Sequence, residues 1–222
     1  MQLSRLILKL LDYFSPDRAN RYRVFRALIS NRNSYLYSSG WMRSFLAGKP
    51  VSKGGEPVPW MNYPVVSLLG ERLTAEMTLF EYGSGFSTQF WASRVREVVS
   101  VEYDRNWYDL IVTELPSNAR VIFQEQDVNG EYCRTIFRDN REYDIVVVDG
   151  RDRVNCIKSA FMSIGETGVV ILDDSQRERY NEAFALAKNK GYKAISIEGL
   201  KPGGSGVDRS TIFYKEGNCL GI

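Results

Sequence analysis

From Thr78 to Tyr214 the sequence alternates short apolar runs with amphipathic stretches, and this alternation limits the fold more than any other feature. Asp144–Val148 (DIVVV) and Gly168–Leu172 (GVVIL) are apolar almost throughout, as strands covered on both faces of a sheet should be. Further strands are expected at 78–82, 97–102, 120–124, 193–197 and 211–214. Helices are expected at 87–93, 106–114, 154–164 and 177–190. Strands alternating with helices imply an α/β fold with a mostly parallel sheet. The last two runs are joined by LKPGGSGVDRS, which has no helical pattern, so an antiparallel final pair is expected. The expected architecture is a seven-stranded sheet with an antiparallel last strand.

The first 76 residues read differently. Residues 1–47 look helical, with breaks near Ser15-Pro16 and at 31–34, and GKPVSKGGEPVP at 48–59 is a Gly/Pro-rich linker. A helix is expected from Trp60 to Leu73. The division expected is a helical cap with its linker at 1–76 and a sheet domain at 77–222. Residues 1–50 carry a net charge of +7 and the remainder −5. The opening MQLSRLILKLLDYF places apolar residues at helical spacing, interrupted by Arg5, Lys9 and Asp12. That pattern suits an amphipathic helix, packed on the protein, joining two copies, or lying on a membrane surface. It lacks the apolar core and cleavage site of a signal peptide. Three widely spaced cysteines fit reduced thiols in the cytoplasm better than a disulfide framework.

The chain has no histidine. This excludes Ser-His-Asp and Cys-His triads, an HExxH zinc site and an imidazole base. Proton transfer must therefore use a carboxylate or another non-imidazole group, or a metal-bound species.

In open α/β sheets, ligands bind beyond the carboxyl ends of the strands. After the first strand comes Glu81-Tyr82-Gly83-Ser84-Gly85-Phe86-Ser87-Thr88. Gly83 and Gly85 permit a tight turn and close backbone approach, and Ser87 or Thr88 is expected to cap the next helix. After the second strand comes Glu102-Tyr103-Asp104, with Glu102 19 residues beyond Gly83, a spacing that suits an acid on a ribose diol. The third strand leads to Gln126-Asp127, the fourth to Asp149-Gly150-Arg151-Asp152-Arg153, and the fifth to Asp173-Asp174-Ser175.

At these residues the chain resembles the class I S-adenosylmethionine-dependent methyltransferases, over about residues 78–214. EYGSGFST is similar to that family's first motif and VEYD to its second. Ser87 stands where many members have a third glycine. The resemblance implies a Rossmann-like fold with S-adenosylmethionine as cofactor. The turn at Gly83, Ser84 and Gly85 would hold its methionine portion, Glu102 its ribose and Asp127 its adenine, with Glu81, Ser87, Thr88 and Asp149 also placed at the cofactor. Tyr103 would lie against the ribose or the adenine, or in the core.

Asp149, Asp173 and Asp174 are expected to converge at adjacent strand ends. Such a cluster raises its own pKa values unless compensated, and a divalent cation such as Mg²⁺ would relieve it. The arrangement resembles the metal-dependent catechol-type O-methyltransferases. That branch carries a lysine base three residues after the first Asp, where this chain has Asp152. Two readings stay open: a metal held by Asp149, Asp173 and Asp174, or a carboxylate base at Asp149 or Asp152, with Arg151 and Arg153 free to meet an anionic acceptor. The acceptor expected is a small molecule or a glycan hydroxyl. By the same resemblance, Trp60, Met61, Asn62 and Tyr63 would line the acceptor pocket, with core packing the role expected first of Trp60. The other readings are a nicotinamide-dependent oxidoreductase, disfavoured by the missing final glycine of GxGxxG, and a non-catalytic interaction protein. Nucleic-acid amino methylation lacks its Asn/Asp-Pro-Pro-aromatic element after the fourth strand.

Overall fold

The computed structural model describes Asp12, Tyr13 and residues 15–222. Most of the opening helix expected from the sequence therefore lies outside the described residues, together with its membrane or self-association role. Three helices lead the described chain: α1 (Pro16–Leu28), α2 (Tyr35–Ser38) and α3 (Trp41–Ala47). The linker that follows closes on itself through a bridge between Val51 and Pro57. Ser44 Oγ bonds both the N–H and the C=O of Val51, tying α3 to this linker.

Helix α4 (Tyr63–Arg72) begins later than the predicted Trp60, because the Asn62 side chain accepts from Val65 N–H at 3.1 Å and sets the start there. Strands and helices then alternate: β1 (Thr78–Tyr82), α5 (Phe86–Ala92), β2 (Glu97–Glu102), α6 (Arg105–Ile111), β3 (Ala119–Phe123), α7 (Glu131–Arg134), β4 (Tyr143–Val148), α8 (Arg153–Ser163), β5 (Ile164–Leu172), α9 (Asn181–Asn189), β6 (Lys193–Gly199) and β7 (Asp208–Tyr214). The sheet order is β3-β2-β1-β4-β5-β7-β6, and β7 runs antiparallel to both of its neighbours. The chain has a Rossmann-like, methyltransferase-type sheet, as its pattern of apolar runs predicts.

Alternate residues of the central strands serve two cores. Phe80, Tyr82, Val146, Val148, Val170 and Leu172 face α7, α8 and α9, and join Ile136, Ile157 and Ala183. Leu79, Ile145, Val147, Val169 and Ile171 face α4 and α5, and join Val65, Leu69 and Trp91. Burial on both faces explains why these strands read as continuous apolar runs. Three expectations are corrected. The predicted helix 177–190 is a 3₁₀ turn (Glu178–Tyr180) followed by α9. Helix α5 starts at Phe86, since the turn ends in extended backbone at Gly85, so neither Ser87 nor Thr88 is its N-cap. Trp60 is 49% exposed rather than in the core, while its neighbours Met61, Asn62 and Tyr63 are buried.

Candidate active site

The strand order reverses between β1 and β4, so the loops after them part and leave a crevice. Gly83 has φ +94°, a conformation that favours glycine, and its turn lies against the turn after β4. There a Cβ on Gly150 would stand 2.1 Å from the Tyr132 hydroxyl, so only glycine fits. A cleft of about 500 Å³ opens here, walled by Gly83, Ser84, Glu102, Tyr103, Trp107 and Asp149 among others. That size lies within the range of roughly 300–1,000 Å³ usual for small-ligand sites.

Glu102, 4% exposed, fixes the wall of this cleft. Its Oε2 accepts from Ser84 N–H (3.1 Å) and Ser84 Oγ–H (3.0 Å). Its Oε1 accepts from Tyr103 N–H (2.8 Å) and Asp104 N–H (2.9 Å). One carboxylate therefore joins the β1 and β2 loops. Trp107, which sequence reasoning passed over, donates from Nε1 to Ser84 C=O at 2.8 Å and lines the same cleft. Its position follows from Asp104, whose side chain caps α6 on Trp107 N–H.

Glu81 sits beneath the glycine turn, 1% exposed. It accepts from Thr88 Oγ1 (2.6 Å), Ser100 Oγ (2.8 Å) and Trp91 Nε1 (2.9 Å), while Thr88 Oγ1 accepts from Gly85 N–H. Glu81 and Thr88 thus brace the turn from below. Burial pushes the Glu81 carboxyl up to about 7, against the hydroxyls and indole that favour its charged form. The folded pKa lies above the unfolded 4.5, so this group's stabilising contribution is complete below pH 4.5 and is lost as pH rises through 7. Glu81→Gln should therefore gain on the wild type by about 3 kcal/mol between pH 4.5 and 7.5. Paired urea unfolding curves across that range check this, and a pH-independent difference would contradict the raised pKa.

The three aspartates predicted to meet do so: carboxylate oxygens of Asp149, Asp173 and Asp174 lie within 4.8 Å of one another. Asp174 adopts φ +50° just beyond β5 and Asp152 φ +46° at the start of α8, both costly for non-glycine residues. Burial and the Asp149 charge hold the Asp173 carboxyl well above the carboxylate range. Burial raises Asp149 too, with Arg153 opposing. Ser210 Oγ donates to Asp173 Oδ1 at 2.6 Å and accepts from Asn62 Nδ2 at 2.9 Å, which links the cluster to the start of α4.

Arg153, at the start of α8 and 8% exposed, is the cluster's counter-charge. Its Nη2 donates to Asp149 Oδ1 (2.7 Å) and lies 3.4 Å from Asp174 Oδ2, and its Nη1 donates to Asp173 C=O (2.5 Å). Nε donates to Gly150 C=O at 3.0 Å. Arg177 and Lys201 also pair with Asp174, and Lys201 with Asp208. A resident dication fits this set poorly. The guanidinium already stands among the three carboxylates, and like charges at such range repel strongly. Asp149 Oδ2 has no hydrogen bond among the described residues.

Two predicted site residues are engaged elsewhere. Asp127 caps α7, accepting from Glu131 N–H (2.6 Å) and Tyr132 N–H (3.1 Å). Asp152 does not line the 500 Å³ cleft. It accepts from Asn129 N–H at 2.8 Å and from Asn155 Nδ2 through both oxygens. Tyr103 lines the cleft, and its hydroxyl accepts from Arg151 Nη2 at 2.8 Å. Ser87 lines the cleft as well. Asp149 also faces two smaller cavities that Trp60 walls. One, of about 400 Å³, includes Asp173, Asp174, Lys201 and the Gly203-Gly204 turn, which Trp41 holds by an Nε1 bond to Gly204 C=O. The other, of about 300 Å³, includes Pro50, Phe86 and Trp107.

Solved methyltransferase structures share this fold in outline. The chain is similar to precorrin-6y C5,15-methyltransferase from Geobacter metallireducens, at 13% identity and TM-score 0.54, over 69% of this chain and 88% of that one. It is similar to a caffeoyl-CoA O-methyltransferase candidate from Staphylococcus aureus, at 15% identity and TM-score 0.53, over 71% and 86%. A methyltransferase from Pyrococcus furiosus matches at 17% and TM-score 0.52, over 84% and 98%. The chain shares the fold of these class I methyltransferases. No family model and no curated protein sequence matches it.

Proposed function

We propose that this chain is an S-adenosylmethionine-dependent methyltransferase that methylates a hydroxyl of a small molecule or glycan. The observation that carries the reading is the position of Asp149. It lies on the wall of the cofactor-sized cleft and on the walls of both cavities under Trp60, with one oxygen unbonded among the described residues. A methyl donor on one side and an acceptor on the other would meet at this carboxylate.

Bound in the cleft, S-adenosylmethionine supplies an activated methyl group on a sulfonium. The chain supplies position and a proton acceptor. Glu102 offers the ribose hydroxyls a charged acceptor, and the Gly83–Gly85 turn brings backbone against the methionine portion. Asp149 Oδ2 takes the acceptor's hydroxyl proton, and its raised pKa makes it a stronger base than an exposed aspartate. Arg153 fixes the other oxygen of that carboxylate. Trp60 gives the acceptor a flat face, suited to a sugar or an aromatic ring. The proposal needs no bound cation, because Arg153 occupies that role. It places the protein in the cytoplasm, where its three free cysteines would stay reduced. No helix among the described residues is long and apolar enough to cross a membrane.

Calorimetric titration tests the reading. S-adenosylmethionine is expected to bind and NAD to give no heat, with EDTA changing neither result. Asp149→Asn is expected to retain cofactor affinity within about twofold, since Asp149 contributes to proton transfer rather than to ribose binding. A folded sample that does not bind S-adenosylmethionine would sink the proposal.

A further inference from the structure

Residues 51–222 are net acidic, yet four arginines of that region converge on one small cavity. It measures about 270 Å³ and lies between the start of α8 and the 3₁₀ turn after β5, with Arg151, Arg153, Arg177, Arg179 and Tyr180 in its wall. Two of these guanidiniums are preset by one buried acid: Asp174 Oδ2 pairs with Arg177 (2.5 Å) and Arg153 (3.4 Å). The other two, Arg151 and Arg179, have no carboxylate partner among the described residues. Arg151 donates to the Tyr103 hydroxyl and Arg179 to the Tyr180 hydroxyl. The Tyr180 ring carries two cations at once, Arg179 at 4.9 Å and Arg153 at 5.6 Å from its centroid. Asp152 is the one acid in the wall, and both its oxygens are held by Asn155. Asp149 and Asp174 offset Arg153 and Arg177, which leaves Arg151 and Arg179 as the charge that a bound anion would neutralise.

We propose that this cavity is the seat of a phosphate group carried by the methyl acceptor. Arg153 is already engaged on the aspartate side, but the forked guanidiniums of Arg151, Arg177 and Arg179 around one cavity match the oxygens of a tetrahedral dianion better than a planar carboxylate. The volume admits a phosphate and a little more, which points to a small phosphate ester rather than a polymer. The cavity shares Gly150, Arg151 and Arg153 with the cofactor cleft, and Arg153 bonds Asp149, so an acceptor anchored here would extend past the Arg153 guanidinium to bring its hydroxyl to that carboxylate. As an account of the acceptor, the inference rests on the methyltransferase reading; as an anion site it stands alone.

The full chain is titrated with inorganic phosphate, with glucose 1-phosphate and with glucose, at constant ionic strength set by chloride. Phosphate and the ester are expected to bind and glucose not to. Arg179→Gln, an exposed position outside the cofactor cleft, should weaken both by about tenfold, and Arg179→Lys should restore part of the loss. S-adenosylmethionine affinity, read in the same samples, should stay unchanged. Failure of phosphate to bind, or equal binding by Arg179→Gln, overturns the site. Binding of phosphate but not of the ester overturns its assignment to the acceptor. Loss of S-adenosylmethionine binding with phosphate binding intact overturns the methyltransferase reading and leaves the anion site standing.

Discussion

Replacing Arg153 with Met is expected to destabilise the fold by about 3–5 kcal/mol, the largest single-residue effect in the site. The guanidinium bonds two backbone carbonyls beyond the β4 end, at Asp149 and Gly150, and one beyond the β5 end, at Asp173. It also neutralises Asp149 and Asp174. Methionine matches much of its volume, so the loss is charge and hydrogen bonding rather than packing. Three carboxylates would then share a site with only Arg177 and Lys201 beside them, and both of those serve Asp174. Protonating Asp149 and Asp173 would be the protein's remaining relief. The variant's deficit should therefore shrink as pH falls below neutrality, whereas a simple packing defect would be independent of pH. Urea unfolding at pH 5 and pH 8 measures this. Millimolar Mg²⁺ should leave the wild-type midpoint in place and raise that of Arg153→Met, because removing the resident cation frees the oxygens. A wild-type midpoint that rises with Mg²⁺ would return the cluster to the metal reading.

The same residue shows where sequence reasoning stopped. The strands were legible because burial on both faces writes an unbroken apolar run, as in DIVVV, and β1 falls at the predicted 78–82. The meeting of Asp149, Asp173 and Asp174 was legible because β4 and β5 are neighbours in the sheet. Arg153 is one of 29 basic residues, and nothing in its neighbours marks it as buried. Its inward direction follows from the left-handed turn at Asp152, a backbone state visible only in three dimensions. Asp127 shows the reverse case: it follows the third strand as a ligand residue should, but its carboxylate turns to the N–H groups of α7. That helix was not foreseen, since a four-residue segment is too short to show a period. The anion cavity was half legible. Arg151 and Arg153 stand in sequence beside Asp149, whereas Arg177 and Arg179 arrive through the turn after β5.

On the methyltransferase reading, Glu102→Gln is expected to weaken S-adenosylmethionine binding by about 100-fold, and the reason lies in how fully this carboxylate is used. Its two oxygens already accept four hydrogen bonds, about the full capacity of a carboxylate. A glutamine can place its oxygen toward Ser84 or toward Tyr103 and Asp104. Either choice sets its NH₂ against at least one backbone N–H, that of Ser84 or those of Tyr103 and Asp104, and each unsatisfied buried donor costs about 1–3 kcal/mol. The loops after β1 and β2 would part, and the ribose would lose its charged acceptor as well. A ribose diol must also displace one of the four present donors. Three are backbone N–H groups held by their loops, whereas the fourth, Ser84 Oγ–H, can rotate away. Ser84→Ala should therefore keep or improve cofactor affinity, although it removes a hydrogen bond from the free protein. Calorimetry on Glu102→Gln and Ser84→Ala, paired with unfolding midpoints, separates the two effects. A Ser84→Ala variant that binds tenfold more weakly would mean the serine hydroxyl, rather than Glu102, is the group the cofactor seeks.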